Sequence, residues 1–204
     1  MINYNGDFEA RENTTVETLP AGAYIGKVLG AKVEPVTSNG RTWDRLVLQL
    51  DVTEGQYANH YQNLYKSQQG GQFAAKYKGV LRLNIPVKGD QYEGMNKRIL
   101  EGAVWCLEDS NAGFKWNWDE TKLKGLSVGF SVRDMDYLIE DASGIRTGTT
   151  TEIARLESVK KIKAGEVKPV KRRELKEAQK QRLQASTAAA VSNAQPVQDD
   201  ELPF

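Results

Sequence analysis

Pro20-Ala21-Gly22-Ala23-Tyr24-Ile25-Gly26-Lys27-Val28-Leu29-Gly30-Ala31-Lys32-Val33, then Thr37-Ser38-Asn39-Gly40, then Thr42-Trp43-Asp44-Arg45-Leu46-Val47-Leu48-Gln49-Leu50-Asp51-Val52, is the stretch that decides the fold. In its first part Ala23, Ile25, Leu29, Ala31 and Val33 alternate with Tyr24, Gly26, Val28, Gly30 and Lys32, the two-residue period of a strand. Gly26 and Gly30 weaken a flat strand but suit strong coiling or a bulge, as at a barrel corner. Thr37 to Gly40 supply a hairpin turn. In the second strand Leu46, Leu48, Leu50 and Val52 share one face, while Arg45, Val47, Gln49 and Asp51 take the other. The chain therefore reads as mainly β.

Outward from this hairpin the pattern is less regular. Residues 1–19 are polar and weakly acidic and read as a flexible N-terminal arm. Gln56 to Tyr65 fits a third strand or a helix, because Tyr57, Tyr61 and Tyr65 are spaced by four. Lys66 to Lys78 reads as a long mobile loop or short helix, and Val80 to Val87 as a further short strand. Met95, Ile99, Ala103, Trp105, Cys106 and Leu107 recur at helical intervals and predict one helix over Gln91–Glu108. Late strands follow at Lys124–Arg133, Met135–Glu140 and Arg146–Ser158, with a turn at Asp141-Ala142-Ser143-Gly144. These elements predict a small barrel of about five strands with one helix over residues 20–163. Residues 164–184 form a basic, partly helical segment. Residues 185–198 have almost no apolar bulk and read as a disordered linker. An acidic tip, 199–204, follows.

The net charge is only +1, but it is unevenly spread. Arg155 to Arg182 holds eleven Lys/Arg and four Asp/Glu, a local balance of +7, and reads either as a polyanion-binding segment or as solvated surface. With the single cysteine, Cys106, no intramolecular disulfide forms. Met1-Ile2-Asn3-Tyr4-Asn5 begins no secretory signal, and no window approaches a membrane span. A cytoplasmic, membrane-free protein is expected.

Enzyme chemistry finds little support. One histidine, His60, and one cysteine cannot supply a zinc set, so no metal and no cofactor is expected. Cys106 lies inside the predicted helix beside Trp105 and Leu107, as a core thiol does, and Trp105 is expected in the core with it. Gly22-Ala23-Tyr24-Ile25-Gly26-Lys27 mimics a phosphate loop but is one residue short and lies within a strand. Asp134 and Asp136 read as a polar strand edge rather than a nuclease pair.

Nucleic-acid chemistry is better served. Sequence-independent binding of a single strand needs cations along the phosphates and aromatic faces against the bases. Cations and aromatics interleave at Arg41, Trp43 and Arg45, and again at Tyr57, Tyr61, Tyr65, Lys66, Phe73, Lys76, Tyr77, Lys78 and Arg82. Trp43, flanked by charge, is the best single stacking candidate, and core packing is the competing role for Tyr57 and Tyr61. Lys115-Trp116-Asn117-Trp118-Asp119 either covers a barrel end or extends the stacking surface. Asp199, Asp200, Glu201, Leu202, Pro203 and Phe204 read as a partner-docking tip: proline limits the entropy lost on docking, and Phe204 fills an apolar pocket whose basic rim meets the acids.

With that tip, the chain resembles the single-stranded DNA-binding proteins, in which an OB-fold core leads through a low-complexity linker to an acidic end in Pro-Phe. Its body is similar to the phage-encoded members at Leu19-Pro20-Ala21-Gly22-Ala23-Tyr24 and at Leu46-Val47-Leu48-Gln49-Leu50-Asp51-Val52-Thr53-Glu54-Gly55. The resemblance implies an OB-fold-like core and coating of single-stranded DNA. It also implies recruitment of replication and recombination proteins through the tip, in the host cytoplasm if the chain is phage-encoded. It allows a homo-oligomer without fixing the subunit number. The alternative is a phage replication or recombination adaptor whose main contacts are with protein.

Overall fold

The computed structural model describes residues 18–69, 74–141 and 144–193, the last seven by backbone alone. The chain is mainly β. Strands β1 (Gly22–Ser38), β2 (Arg41–Val52), β3 (Val80–Asn84), β4 (Ser127–Asp141) and β5 (Gly144–Glu157) form one antiparallel sheet in the order β3-β2-β1-β4-β5. Among the described residues four helices accompany it: α1 (His60–Ser67), α2 (Glu93–Ser110), α3 (Val159–Lys163) and α4 (Glu177–Asn193), with a 3₁₀ turn at Glu120–Leu123. The sheet is not closed: β3 and β5 are its edges.

The deciding hairpin forms as expected. Asn39 and Gly40 both have positive φ, 50° and 71°, which makes a two-residue turn with the twist that flanking strands prefer. Ser38 therefore pairs with Arg41, and the register runs on to Gly26 opposite Val52. A bulge between Val28 and Gly30 shifts the phase of β1. Before it Tyr24, Gly26 and Val28 face the core; after it Ala31 does. Gly26 is required there, since a Cβ would lie 2.1 Å from the Asp51 carbonyl oxygen.

The core packs Leu46, Leu48, Leu50 and Val52 of β2 with Leu81 and Leu83 of β3, Val128, Phe130 and Val132 of β4, and Leu100, Ala103, Cys106 and Leu107 of α2. Leu19 is buried with them, so the N-terminal arm ends before it; residues 1–17 lie outside the described residues. Cys106 is a core thiol, its pKa pushed up to about 11, mainly by burial.

Several expectations are corrected. Of the two readings of Gln56–Tyr65, strand or helix, the helix holds from His60: α1 covers His60–Ser67, because the buried Asp51 carboxylate accepts the amides of Tyr61 (3.0 Å) and Gln62 (2.9 Å) and so caps its first turn. The two late strands read at Lys124–Arg133 and Met135–Glu140 are one continuous strand, β4, whose hairpin register closes with Asp141 opposite Gly144. Trp105 is not in the core but 47% exposed on α2, with the Lys161 ammonium 4.7 Å from its ring centroid. Trp116 and Trp118 lie in a loop, their ring centroids 4.8 Å apart and their planes tilted by 36°. The stretch read as a disordered linker is helical as far as Asn193: α4 runs on through Ala185, Ala188, Ala189 and Ala190, and alanine has the highest helix propensity. The remaining linker residues, 194–198, lie outside the described residues. Among the described residues no helix is long and apolar enough to cross a membrane.

Candidate functional site

The outer face of β1, β2 and β3 is built in rows fixed by the strand register. Lys32, Val47 and Arg82 form one row, Glu34, Arg45 and Asn84 the next, and Val36 with Trp43 the third. Residues paired directly across antiparallel strands project to the same side, so Trp43, Arg45 and Arg82 share a face with Lys32. Asn84 fixes two of these groups: its Oδ1 accepts from Trp43 Nε1 (3.0 Å) and from Arg45 Nε (3.3 Å). The indole edge is thereby held while its ring stays half-buried. The face is electropositive. Glu34, its one carboxylate in these rows, has its pKa lowered first by the hydrogen bond from Lys32, then by the charges of Lys32, Arg82 and Arg45.

At the top of this face the Asn39-Gly40 turn delivers Arg41 next to the start of α2. Arg41 is ion-paired with Asp90. Its guanidinium lies over Tyr92 at 4.9 Å and near Trp43 at 5.8 Å. A pocket of about 200 Å³ opens here between β2, β3 and α2. The Asp90 carboxyl is held below the usual aspartate range, first by the Tyr92 amide and then by Arg41.

The second group of sequence candidates divides. Tyr61 is 5% exposed and packs into the core, and its hydroxyl pKa is driven up by burial. Tyr77 is partly buried, donates its hydroxyl to the Leu50 carbonyl (2.8 Å), and is raised for the same reason. Tyr65 meets Tyr77 at 6.0 Å, and Tyr57 meets Tyr24 at 5.9 Å. These four rings therefore dock α1 on the sheet rather than stand open for stacking. Lys66, Lys76 and Lys78 are exposed around that cluster. Phe73 and the whole tip, Asp199 to Phe204, lie outside the described residues.

The basic segment has mostly protein partners. Arg172 is ion-paired with Asp136 and donates to Thr149 (2.9 Å). Arg173 reaches Glu152 at 2.9 Å, beside Arg133 at 2.7 Å, and its backbone pairs with Asp134 and Asp136. Arg182 is ion-paired with Glu140. Lys160 reaches Asp109 at 2.9 Å, and Lys180 reaches Glu177 at 3.1 Å. The segment thus straps the β4–β5 hairpin.

Lys32, Glu34, Asn84, Asp90 and Tyr92 escaped the sequence reading. Alternation of Leu81 and Leu83 with Arg82 and Asn84 was the available signal for Asn84. Nothing local links Tyr92 to Arg41, which are joined only by the fold. Among the described residues no three His, Cys, Asp or Glu side chains converge as metal ligands do. Comparison with known protein families and with curated proteins finds no match to the chain.

Proposed function

We propose that this protein is a non-enzymatic binder of single-stranded DNA, and that its strand crosses the outer face of β2 and β3. The observation that carries the reading is that face itself: Trp43 held by its edge, with Lys32, Arg45 and Arg82 in adjoining rows. Cations placed beside an aromatic face are what a sequence-tolerant single-strand site needs. The topology supports it. The order β3-β2-β1-β4-β5, with α2 between β3 and β4, is compatible with an OB-fold-like barrel left open between β3 and β5. Those edges approach within 8 Å between Cα atoms at the seam. In OB-folds the strand 2–3 face and the β1–β2 and β4–β5 loops bind oligonucleotides, and here the β1–β2 turn carries Arg41.

The tip, Asp199 to Phe204, acts in this proposal as the recruiting element for replication and recombination proteins, since its charge suits a basic protein pocket and not DNA. The test is fluorescence anisotropy of labelled oligo-dT and of a duplex of equal length at increasing salt. Preference for the single strand, with affinity falling steeply as salt rises, is expected. Equal affinities, flat in salt, would remove the proposal.

A second reading, an adaptor that works through protein contacts, is favoured by one observation. A groove of about 510 Å³ along α2 is lined by Trp105, Trp116 and Trp118, with Glu93, Glu101 and Glu108 mixed with Lys88 and Lys97 in its wall, an apolar floor with charges of both signs that suits a protein segment. Oligo-dT binding weakened in Trp43→Ala but unchanged in Trp118→Ala separates the readings.

A further inference from the structure

Arg41 occupies an aromatic slot. Its guanidinium carbon is 4.9 Å from the Tyr92 ring centroid and 5.8 Å from that of Trp43. Asp90 holds it there through an ion pair. The same carboxylate accepts the Tyr92 amide at 2.7 Å, so one group fixes both the arginine and the entrance to α2. Tyr92 is 44% exposed: its ring lies in water over an arginine rather than in the core. The side chains of Asn84 and Asn96 complete the pocket wall.

A guanidinium and a nucleobase share the property that matters here. Both are flat and stack on aromatic rings. Building on the single-strand binding argued above, we propose that Arg41 is a placeholder. A base enters between Trp43 and Tyr92, and Arg41, released from Asp90, turns to the adjoining phosphate. The slot carries the DNA interface from the β2–β3 face onto the start of α2. It makes Tyr92 a base-stacking residue and Asp90 an internal competitor for the phosphate. Asn96 is placed to hydrogen-bond a base edge.

Two variants and two ligands test this. The ligands are oligo-dT and an oligomer of the same length in which every base is replaced by an abasic sugar. Tyr92→Ala weakens oligo-dT binding about tenfold or more and leaves abasic binding within about twofold, because only a stacked base is lost. Asp90→Asn keeps an oxygen for the Tyr92 amide but removes the charge that holds Arg41, so both ligands bind about two- to fivefold tighter. Tyr92→Phe, which keeps the ring, restores wild-type binding. Equal affinity of Tyr92→Ala and wild type for oligo-dT overturns the slot. So does an equal loss on both oligomers, or weaker binding by Asp90→Asn. Failure of the wild-type protein to bind oligo-dT at all strikes the proposed function; binding that ignores Tyr92 strikes only the slot.

Discussion

Replacing Arg82 by alanine tests the outer face quantitatively. Arg82 is exposed on β3, between core residues Leu81 and Leu83, so its removal leaves the packing intact. Four cations stand on or at the top of the face: Lys32, Arg41, Arg45 and Arg82. If each neutralises one phosphate, log K falls against log salt with a slope of about −2.8, since a single-strand phosphate contributes about 0.7. A fourfold rise in salt then weakens binding about fiftyfold. With Arg82 gone the slope becomes about −2.1 and the same rise weakens binding about twentyfold. Further cations, such as Lys76 and Lys78, steepen both slopes equally; the difference of about 0.7 belongs to Arg82. The control is Arg172→Ala, whose guanidinium is already spent on Asp136 and Thr149, and its slope should match the wild type. Anisotropy titrations of oligo-dT at several salt concentrations give all three slopes. An Arg82→Ala slope equal to the wild type, or an Arg172→Ala slope as shallow as that expected for Arg82→Ala, would refute the placement of DNA on this face.

Four further outcomes follow from the structure. Trp43→Ala should cost about 1–3 kcal/mol in oligo-dT affinity, the worth of a stacked base, measured by anisotropy at fixed salt. Asp51→Asn puts an amide donor where Oδ2 accepts from Gln62 and should lower unfolding free energy by about 2–4 kcal/mol in urea melts; an unchanged midpoint removes the capping role. Gly26→Ala forces a Cβ into the Asp51 carbonyl and the Phe130 ring, at 2.1 and 2.7 Å, and should destabilise by about 3 kcal/mol or more, read from thermal unfolding. Asp136 has its folded pKa below the ordinary 3.8, chiefly through the Arg172 hydrogen bond. Its contribution to the strap is complete above 3.8 and is lost as pH falls through the lower folded value. A carboxyl NMR titration of Asp136 with its midpoint at or above 3.8 contradicts this.

The hairpin was legible because its signals are local. Asn39-Gly40 demands a two-residue turn, and Leu46, Leu48, Leu50 and Val52 mark a buried face. The same locality explains the failures. Tyr57, Tyr61 and Tyr65 fit two periods, and a distant buried group, Asp51, decided for the helix. Periodicity placed Trp105 among core residues, yet α2 buries Leu100, Ala103, Cys106 and Leu107, and Trp105 falls beside that stripe. Half of the candidate site was legible for the same reason. Arg41, Trp43 and Arg45 lie on one strand at strand spacing and Arg82 was also named, though only register joins it to them, whereas Tyr92 arrives only by tertiary approach.

Under the proposed reading, charge composition along the chain does not locate the DNA-binding cations. The run from Arg155 to Arg182 holds most of the excess positive charge, yet most of those cations face protein carboxylates. Arg172, Arg173 and Arg182 neutralise Asp136, Glu152 and Glu140 along the β4–β5 hairpin. The outer face has fewer cations but only Glu34 among its rows to oppose them. A polyanion responds to that local imbalance, not to the count along the chain. The net charge of +1 is thus compatible with strong single-strand binding. Because the strap's arginines are about half exposed, salt weakens the strap and the DNA contacts together. Only the difference between variants, taken at matched salt, separates loosening of the fold from loss of the ligand.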